Sequence, residues 1–220
     1  MAAGYLRIVM VAFKEEKKID SCFRYRQPMN QILEWLAGGD LRSDGLANEA
    51  AESVLQTPSL FDDLYEGLSS PNDVIRGRTA DALEKIGRKR PDLLVPHLEE
   101  LADISVTDQV PMVKMHLAMI FGHLALYEEH IDVLCSALFD LLEDESVFAR
   151  SWTIVSLCII ARVYPVECDR IINRIAPLRR DDSAVIRSRV EDALNLLTNE
   201  DAQFPKGWIK SEQMKSVADL

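Results

Sequence analysis

The sequence is poor in the residues that build turns and cross-links. It has nine glycines and nine prolines among 220 residues, fewer than an all-β fold with its many turns requires and fewer than a disordered chain contains. Its four cysteines form no CxxC pair, and most stand at apolar positions of predicted helices. We interpret Cys22, Cys135, Cys158 and Cys168 as reduced core residues, which predicts a cytoplasmic protein rather than one held by disulfides.

Catalytic motifs are missing as well. The sequence contains no GxSxG, P-loop, GxGxxG or HExxH motif. Of its four histidines, His116 and His123 share one face of a predicted helix, but seven residues separate them by about 10.5 Å along the axis, too far to share one metal ion. The sequence therefore predicts no catalytic residue, no metal and no cofactor.

Long apolar runs are also absent. The most apolar long stretch, residues 146–164, contains Arg150 and Arg162, and its uninterrupted part is far shorter than the roughly 20 residues that a membrane span needs. It is apolar on nearly all sides, which predicts a helix buried between other helices. Near the start of the chain, the apolar run 8–13 is too short for the core of a secretory signal. We expect no association with a membrane.

What the sequence does contain is a repeat of about 37 residues. Residues 73–87, 111–125, 147–161 and 184–197 align so that one column holds a cation in every copy, and the positions four, seven and ten residues later are mostly apolar. Those offsets lie on one face of a helix. The cations of the column are Arg76, Lys114, Arg150 and Arg187.

A second predicted helix completes each period, at residues 91–104, 128–143 and 166–178. We name the first helix of each pair A and the second B. A helix pair of this size cannot bury its apolar face alone, so a regular period of pairs predicts a stacked solenoid.

The best copies resemble HEAT repeats. Residues 73–76 read Asp-Val-Ile-Arg and are followed by Ala80, Leu83 and Ile86-Gly87, and residues 184–187 are the next best copy. The resemblance covers about residues 70–197. It implies an all-α fold, a right-handed superhelix of antiparallel helix pairs in which the B helices line the concave side. It implies little about function, because HEAT repeats serve as binding surfaces in unrelated proteins.

This interpretation divides the chain into three predicted regions. Residues 1–27 are predicted to be an N-terminal extension, helical or poorly ordered, with a non-native leader as the alternative. Residues 28–197 form the solenoid, including a helix at 28–37 and a degenerate first pair at 46–55 and 58–68. Residues 198–220 form a C-terminal tail in which Trp208 and Ile209 either fold back over the last helix or remain part of a floppy end.

Charge is distributed unevenly over the repeat. The formal net charge is −11, yet the first three B helices carry no lysine or arginine, and the last breaks the trend with Arg170 and Arg174. The acids predicted to form a negative concave wall are Asp62, Asp63, Glu66, Asp92, Glu99, Glu100, Asp103, Asp132, Asp140 and Glu143. They are either an ordinary solvated face or a groove that attracts a basic partner by electrostatic steering. Under both interpretations the field repels phosphates and predicts no nucleic-acid binding.

The cation column also has two interpretations. Aspartates stand near it in each turn of the repeat, namely Asp73, Asp108, Asp144 and Asp181 with Asp182. We favour a structural ladder of cation–aspartate bonds between successive turns, and the alternative is a ridge that binds anions.

The sequence thus predicts a non-enzymatic scaffold or adaptor that presents an acidic concave surface to a protein or peptide, basic segments included, and it leaves the oligomeric state open. The alternative is a HEAT-like enzyme of the DNA glycosylase or tetrapyrrole lyase type. The glycosylase resemblance would need a basic groove with a tryptophan and an aspartate at its centre, and Trp152 is the tryptophan within the repeats.

Overall fold

The computed structural model describes residues 31–218. The predictions for residues 1–27 and for the start of the helix at 28–37 lie outside the described residues. The chain divides into two compact units, Met1–Gln31 and Ile32–Leu220, and the description below concerns the second. All its regular elements between residues 31 and 218 are helical, which confirms the predicted all-α class.

The α-helices in chain order are α1 (Gln31–Leu36), α2 (Ala47–Gln56), α3 (Phe61–Tyr65), α4 (Asp73–Gly87), α5 (Leu98–Thr107), α6 (Pro111–His123), α7 (Ile131–Leu141), α8 (Val147–Val163), α9 (Cys168–Ile175), α10 (Ala184–Thr198) and α11 (Lys215–Ala218). Short 3₁₀ turns precede or extend the B helices, at Pro58–Leu60, Glu66–Ser69, Pro91–Leu93, Val95–His97, Glu128–His130, Pro165–Glu167 and Ala176–Arg180.

The helices stack as pairs, in the order that the repeat predicts. The A helices α2, α4, α6, α8 and α10 form one row in which each packs on the next. Each B helix packs on the A helix that follows it, and α3, α7 and α9 also pack on the A helix of their own pair, a contact that the turn Pro91–Leu93 makes in the pair of α4 and α5. Within the B layer α5 packs directly on α7. The arrangement is therefore a solenoid of stacked helix pairs with a row of A helices at its core.

Local sequence explains where the helices begin. The side chain of Asn72 accepts a hydrogen bond from the Val74 amide at the start of α4, and Ser146 does the same for Ala149 in α8, which satisfies amides that lack a partner within the helix. The predicted B helix at 91–104 is α-helical only from Leu98. Pro96 has no amide hydrogen and disfavours α-helical geometry at the preceding residue, so the chain reaches Leu98 through two 3₁₀ turns.

The A row forms the centre of the core. From Ser151 to Ala161 every residue of α8 except Trp152 is buried, as its all-round apolar pattern predicts. Phe148, in the first turn of α8, remains 70% exposed although the next residue, Ala149, is buried; only part of the first turn faces the core. None of the described helices is long and apolar enough to cross a bilayer.

The cysteines in the described part of the chain are free, and Cys135 and Cys158 are buried. Burial raises the pKa of Cys135 to about 11 and raises that of Cys158 further. Both are therefore protonated core thiols at neutral pH. Cys22 lies outside the described residues.

A buried arginine of α4 holds the loop that follows α1. Arg78 of α4 is 3% exposed, and its guanidinium donates to the carbonyl oxygens of Leu36, Gly38 and Asp40 at 2.8–3.1 Å. It thereby satisfies orphan carbonyls at the end of α1 and fixes the loop after it. Gly45 has φ +55° and lies against this guanidinium, where a Cβ would come within 2.7 Å of Arg78 Cζ.

The segment after α10, residues 199–216, packs back over the A helices; we call it the C-terminal segment. Trp208, Ser211 and Met214 are buried in it. The hydroxyl of Ser211 and the amide of Glu212 both donate to the carbonyl oxygen of Arg88 at the end of α4, at 3.2 and 3.3 Å. The segment therefore spans the row from α10 back to α4.

Replacing Arg78 tests the closure of the first loop. We expect Arg78→Met to lower the free energy of unfolding by about 3 kcal/mol, because several buried or partly buried carbonyl oxygens lose their donor at once. Urea denaturation of the two proteins measures this. Arg42→Met is the matched control, since Arg42 is 91% exposed and pairs only with Asp40; a loss no larger than that of the control would contradict the role of Arg78.

Truncation tests whether the pairs depend on one another. A chain that ends at Leu142 loses α8, and with it the surface that covers α6 and α7. We expect this fragment to unfold or aggregate rather than remain as a folded half, because stability in such stacks arises at the interfaces between repeats. Circular dichroism against temperature decides the matter, and a soluble fragment with a cooperative melting transition would contradict the expectation.

Candidate functional site

The B helices α5 and α7 flank an open groove of about 440 Å³. Glu99 and Asp103 line it from α5, and Asp132 and Asp140 line it from α7. All four side chains are exposed. Glu99 and Asp103 are one turn apart on α5, and Asp132 and Asp140 are two turns apart on α7, so each wall of the groove presents a short row of carboxylates.

The floor of this groove is apolar and shallow. It is formed by Ala102 and Val106 of α5 and by Val133 and Ala137 of α7, with Ser136 beside them. Val106 is 45% exposed. No lysine or arginine lines the groove, so it combines a small apolar strip with a negative rim.

The other predicted acids do not join this groove. Asp62, Asp63 and Glu66 are exposed on the first B helix, around α3. Asp92 forms an ion pair with Arg90 at 2.7 Å, and Glu100 accepts a hydrogen bond from the Tyr65 hydroxyl at 3.0 Å. Glu143 lies after α7 and lines a separate depression beside Lys114. The structure thus gathers four of the ten predicted residues into one surface.

The acidic surface ends at α9. Arg170 and Arg174 lie over the ring of Phe139, with their Cζ atoms 4.9 and 5.1 Å from its centre. Phe139 is buried in α7, and stacking with two guanidinium groups fixes them at this boundary. The charge of the B helices therefore changes from negative to positive at a sharp boundary between α7 and α9, as the sequence indicates.

The cation column lies beside aspartates that precede the next A helix. Arg76 Nε is 2.8 Å from an oxygen of Asp108, Lys114 Nζ is 2.5 Å from Asp144, and Arg150 pairs with Asp181. Arg187, on the last of the described A helices, donates instead to the carbonyl oxygens of Asp181 and Asp182.

Each of these aspartates also stabilises the turn that leads into the next A helix. The second carboxylate oxygen of Asp108 accepts from the Val110 amide at 2.7 Å, that of Asp144 from Ser146 and that of Asp181 from Ser183, both at 2.8 Å. One carboxylate therefore joins the preceding A helix to the turn before the next one. These contacts give the cation column a structural role between successive repeats. No contact among the described residues points to an anion-binding ridge.

Sequence reasoning missed a buried polar network between α4 and α6. Asp81 and Glu84 of α4 are 7% and 0% exposed, and His116 and His123 of α6 are 8% and 4% exposed. His123 Nε2 is 2.9 Å from Glu84, while Arg88 binds Glu84 and Lys85 binds Asp81. Charged residues on an amphipathic helix suggest exposure, and only the pairing of an acid on one A helix with a histidine on the next could have indicated this network.

Protonation states in the network follow from its partners. Burial raises the pKa of Glu84, but hydrogen bonds from His123 and Arg88 outweigh it and bring the pKa down to about 2. Burial lowers the pKa of His116 against the opposing charges of Asp81 and Glu84, and His116 Nδ1 has no hydrogen-bond partner among the described residues. Glu84 is therefore ionised and His116 neutral at pH 7.

Part of this network could hold a metal ion. One ligand atom each from Asp81, Glu84 and His116 lies within 4.8 Å of the others. Both carboxylates are already paired with the cations Lys85 and Arg88, so the cluster is balanced in charge without an ion, as a buried ion-pair network must be. The absence of a bound metal remains a prediction.

This geometry is that of an α-solenoid of the armadillo and HEAT type, and solved structures share the fold. A computationally designed armadillo repeat protein for modular peptide recognition superposes with a TM-score of 0.54 at 16% identity, over 77% of this chain and 82% of that one. A second designed armadillo repeat protein gives a TM-score of 0.55 at 13% identity, over 87% and 99%. The likeness confirms the predicted superhelical repeat fold. No protein-family model and no curated protein sequence matches the chain.

The pH dependence of stability tests the buried network. The pKa of His116 in the folded chain lies below its ordinary value of 6.5 and that of Glu84 below 4.5, so as pH falls the unfolded chain binds protons that the folded chain does not. The stabilisation is complete above pH 6.5. As pH falls, protonation of His116 in the unfolded chain reduces the free energy of unfolding first. Below pH 4.5, protonation of Glu84 in the unfolded chain reduces it further. We expect the melting temperature to fall from pH 7.5 to 5.5, and to fall less in His116→Gln.

His130→Gln is the matched control for that experiment, because His130 is only partly buried beside Glu129. Differential scanning calorimetry across the pH range gives both comparisons. An equal fall in His116→Gln and in the unaltered chain would contradict the assignment of His116 as a buried neutral residue.

Proposed function

We propose that this protein is a non-enzymatic scaffold that binds a basic segment of a protein or peptide in the groove between α5 and α7. The observation that carries the proposal is the groove's composition, with carboxylates along both walls, an apolar floor and no lysine or arginine in its lining. A segment with lysines or arginines on either side of small apolar residues is complementary to this surface.

The positions of the four acids, rather than pairing alone, favour a groove over a plain solvated face. Exposed acids elsewhere are of both kinds: Asp92 pairs with Arg90 and Glu191 with Arg179, whereas Glu66 and Glu128 form no ion pair with a described residue. The groove acids differ from these in lining one surface together. Within the described part of the chain, Glu99, Asp103, Asp132 and Asp140 form no ion pair. Their charges are therefore free to act on a partner.

The free energies of the available interactions indicate what affinity to expect. An exposed ion pair contributes about 0.2–1 kcal/mol, so four carboxylates and a small apolar strip support modest affinity. The same charges raise the rate of encounter with a basic partner, and this effect weakens as salt screens it over about 8–10 Å. We expect a transient interaction that depends strongly on salt.

The solved structures of the same fold support the proposal by analogy. One of them was designed for modular peptide recognition, and an α-solenoid offers an extended surface suited to that task. The specific groove, the basic character of the partner and a cytoplasmic location are proposals for this chain that rest on its own sequence and charges.

Charge reversal in the groove tests the proposal. A labelled peptide of alternating lysine and alanine serves as the probe, and fluorescence anisotropy at low salt measures its binding. We expect Asp132→Lys combined with Asp140→Lys to weaken binding at least tenfold, because the α7 wall then repels the probe. The melting temperature should stay nearly unchanged, since both side chains are exposed.

The matched control combines Asp62→Lys with Glu66→Lys. It changes the net charge by the same amount but alters the first B helix, away from the groove. A loss of binding confined to the groove variant supports the assignment. Equal losses in both variants would mean that the probe senses only the overall charge, and the groove would then not be the binding site.

A further inference from the structure

Two arginines on the A row lack the carboxylate partners that arginines usually have when they are covered. Arg162 of α8 donates to the carbonyl oxygens of Leu196 and Ala202, at 3.1 and 2.6 Å. Arg189 of α10 donates to the hydroxyl of Ser151 at 3.1 Å. Neither forms an ion pair with a described residue, although both side chains are partly buried. Asp192, three residues further along α10, acts on Arg189 through its charge without a direct contact.

The C-terminal segment covers both arginines with aromatic rings. Phe204 lies 5.9 Å from Arg162 Cζ, and Trp208 lies 4.9 Å from Arg189 Cζ. The two rings contact each other edge to face. In addition, Lys210 of the segment lies over the ring of Trp152 in α8, at 5.2 Å. The aromatic rings of the C-terminal segment thus pack on the A-row surface. The two arginines of that surface donate only to carbonyl and hydroxyl oxygens.

The attachment of the segment is intermittent. Trp208, Ser211 and Met214 are buried anchors three residues apart, but Lys206 and Gly207 before them and Glu212 and Gln213 between them are exposed. Residues 199–201, which connect the segment to α10, are exposed as well. The segment therefore lies on the A row as a largely irregular stretch with two turns, Pro205–Trp208 and Glu212–Lys215, and a few anchoring side chains.

We propose that the C-terminal segment is a displaceable internal ligand, and that the A-row surface beneath it binds a partner peptide that carries an aromatic side chain flanked by carboxylates. Such a peptide would replace Phe204 and Trp208 by its own rings and would give Arg162 and Arg189 the carboxylates that they lack. Charge-assisted hydrogen bonds are roughly twice as strong as those to neutral oxygens, which gives the partner an advantage over the segment.

This surface is distinct from the groove between α5 and α7. It lies on the other helix layer and selects the opposite charge, because its unpaired groups are arginines. Its test therefore uses an acidic aromatic probe rather than a lysine-rich one, and failure of one proposal leaves the other standing.

The experiment cuts the link between α10 and the C-terminal segment and leaves the rest of the chain unaltered. A protease site inserted between Glu200 and Asp201 allows the segment to be released after purification, and circular dichroism confirms that the cut protein stays folded. The probes are fluorescein-labelled peptides of residues 202–216, one with the natural sequence and one with Gln203→Glu and Lys206→Glu, which place carboxylates beside Phe204 and Trp208. A third peptide with Trp208→Ala is the control.

The attached segment acts at an effective concentration of about millimolar. We therefore expect the uncut protein to bind no natural peptide at micromolar concentration, and to bind the acidic peptide only near about a tenth of that effective concentration, where its advantage lets it displace the segment. The cut protein should bind the natural peptide, bind the acidic peptide about tenfold more tightly at low salt, and bind the Trp208→Ala peptide much more weakly. High salt should remove most of the advantage of the acidic peptide.

Three results would overturn the proposal. The first is a cut segment that neither leaves nor exchanges with labelled peptide over a day, because it would then be a fixed part of the core. The second is release of the segment without binding of the natural peptide. The third is an acidic peptide that binds no more tightly than the natural one.

Discussion

The stacking of this solenoid depends on one carboxylate per turn that serves two partners. Asp108, Asp144 and Asp181 each give one oxygen to a cation of the preceding A helix and the other to an amide at the start of the next. These side chains are only 7–12% exposed, so the bonds form away from most of the solvent that weakens surface ion pairs. Because the same group fixes both the contact between repeats and the turn that leads into the next A helix, neighbouring pairs keep a constant spacing while their apolar residues vary.

That regularity explains how much of the fold the sequence could predict. The cation column and the apolar offsets recur with nearly constant period, and period is the property that side-chain variation disturbs least. Helix starts were less predictable, since Pro96 turns the expected beginning of α5 into two 3₁₀ turns. The sequence also placed the acids on the B helices, yet only Glu99, Asp103, Asp132 and Asp140 share a groove, because the direction of each side chain depends on how neighbouring helices are rotated against each other.

The buried charges were beyond such reasoning for a different reason. Asp81 and Glu84 resemble solvent-exposed residues when α4 is considered alone, and their burial becomes acceptable only through Lys85, Arg88 and His123. A charge is tolerated in a core when its partners are fixed there too, and partners on another helix are not visible in a local pattern. The same applies to Arg162 and Arg189, whose neighbours belong to a segment distant in the chain. The net charge of −11 thus conceals a local contrast between the carboxylates of the groove between α5 and α7 and the arginines beneath the C-terminal segment.

The bond between Ser211 and the Arg88 carbonyl joins positions 123 residues apart. Linear arrays whose units touch only their neighbours can lose terminal units one at a time. Here the far end of the array is tied to an early helix, so the last pair cannot fray unless that tie is broken first. This contact implies that opening of α10 is coupled to α4, and that release of the C-terminal segment makes it easier for the last described pair to open.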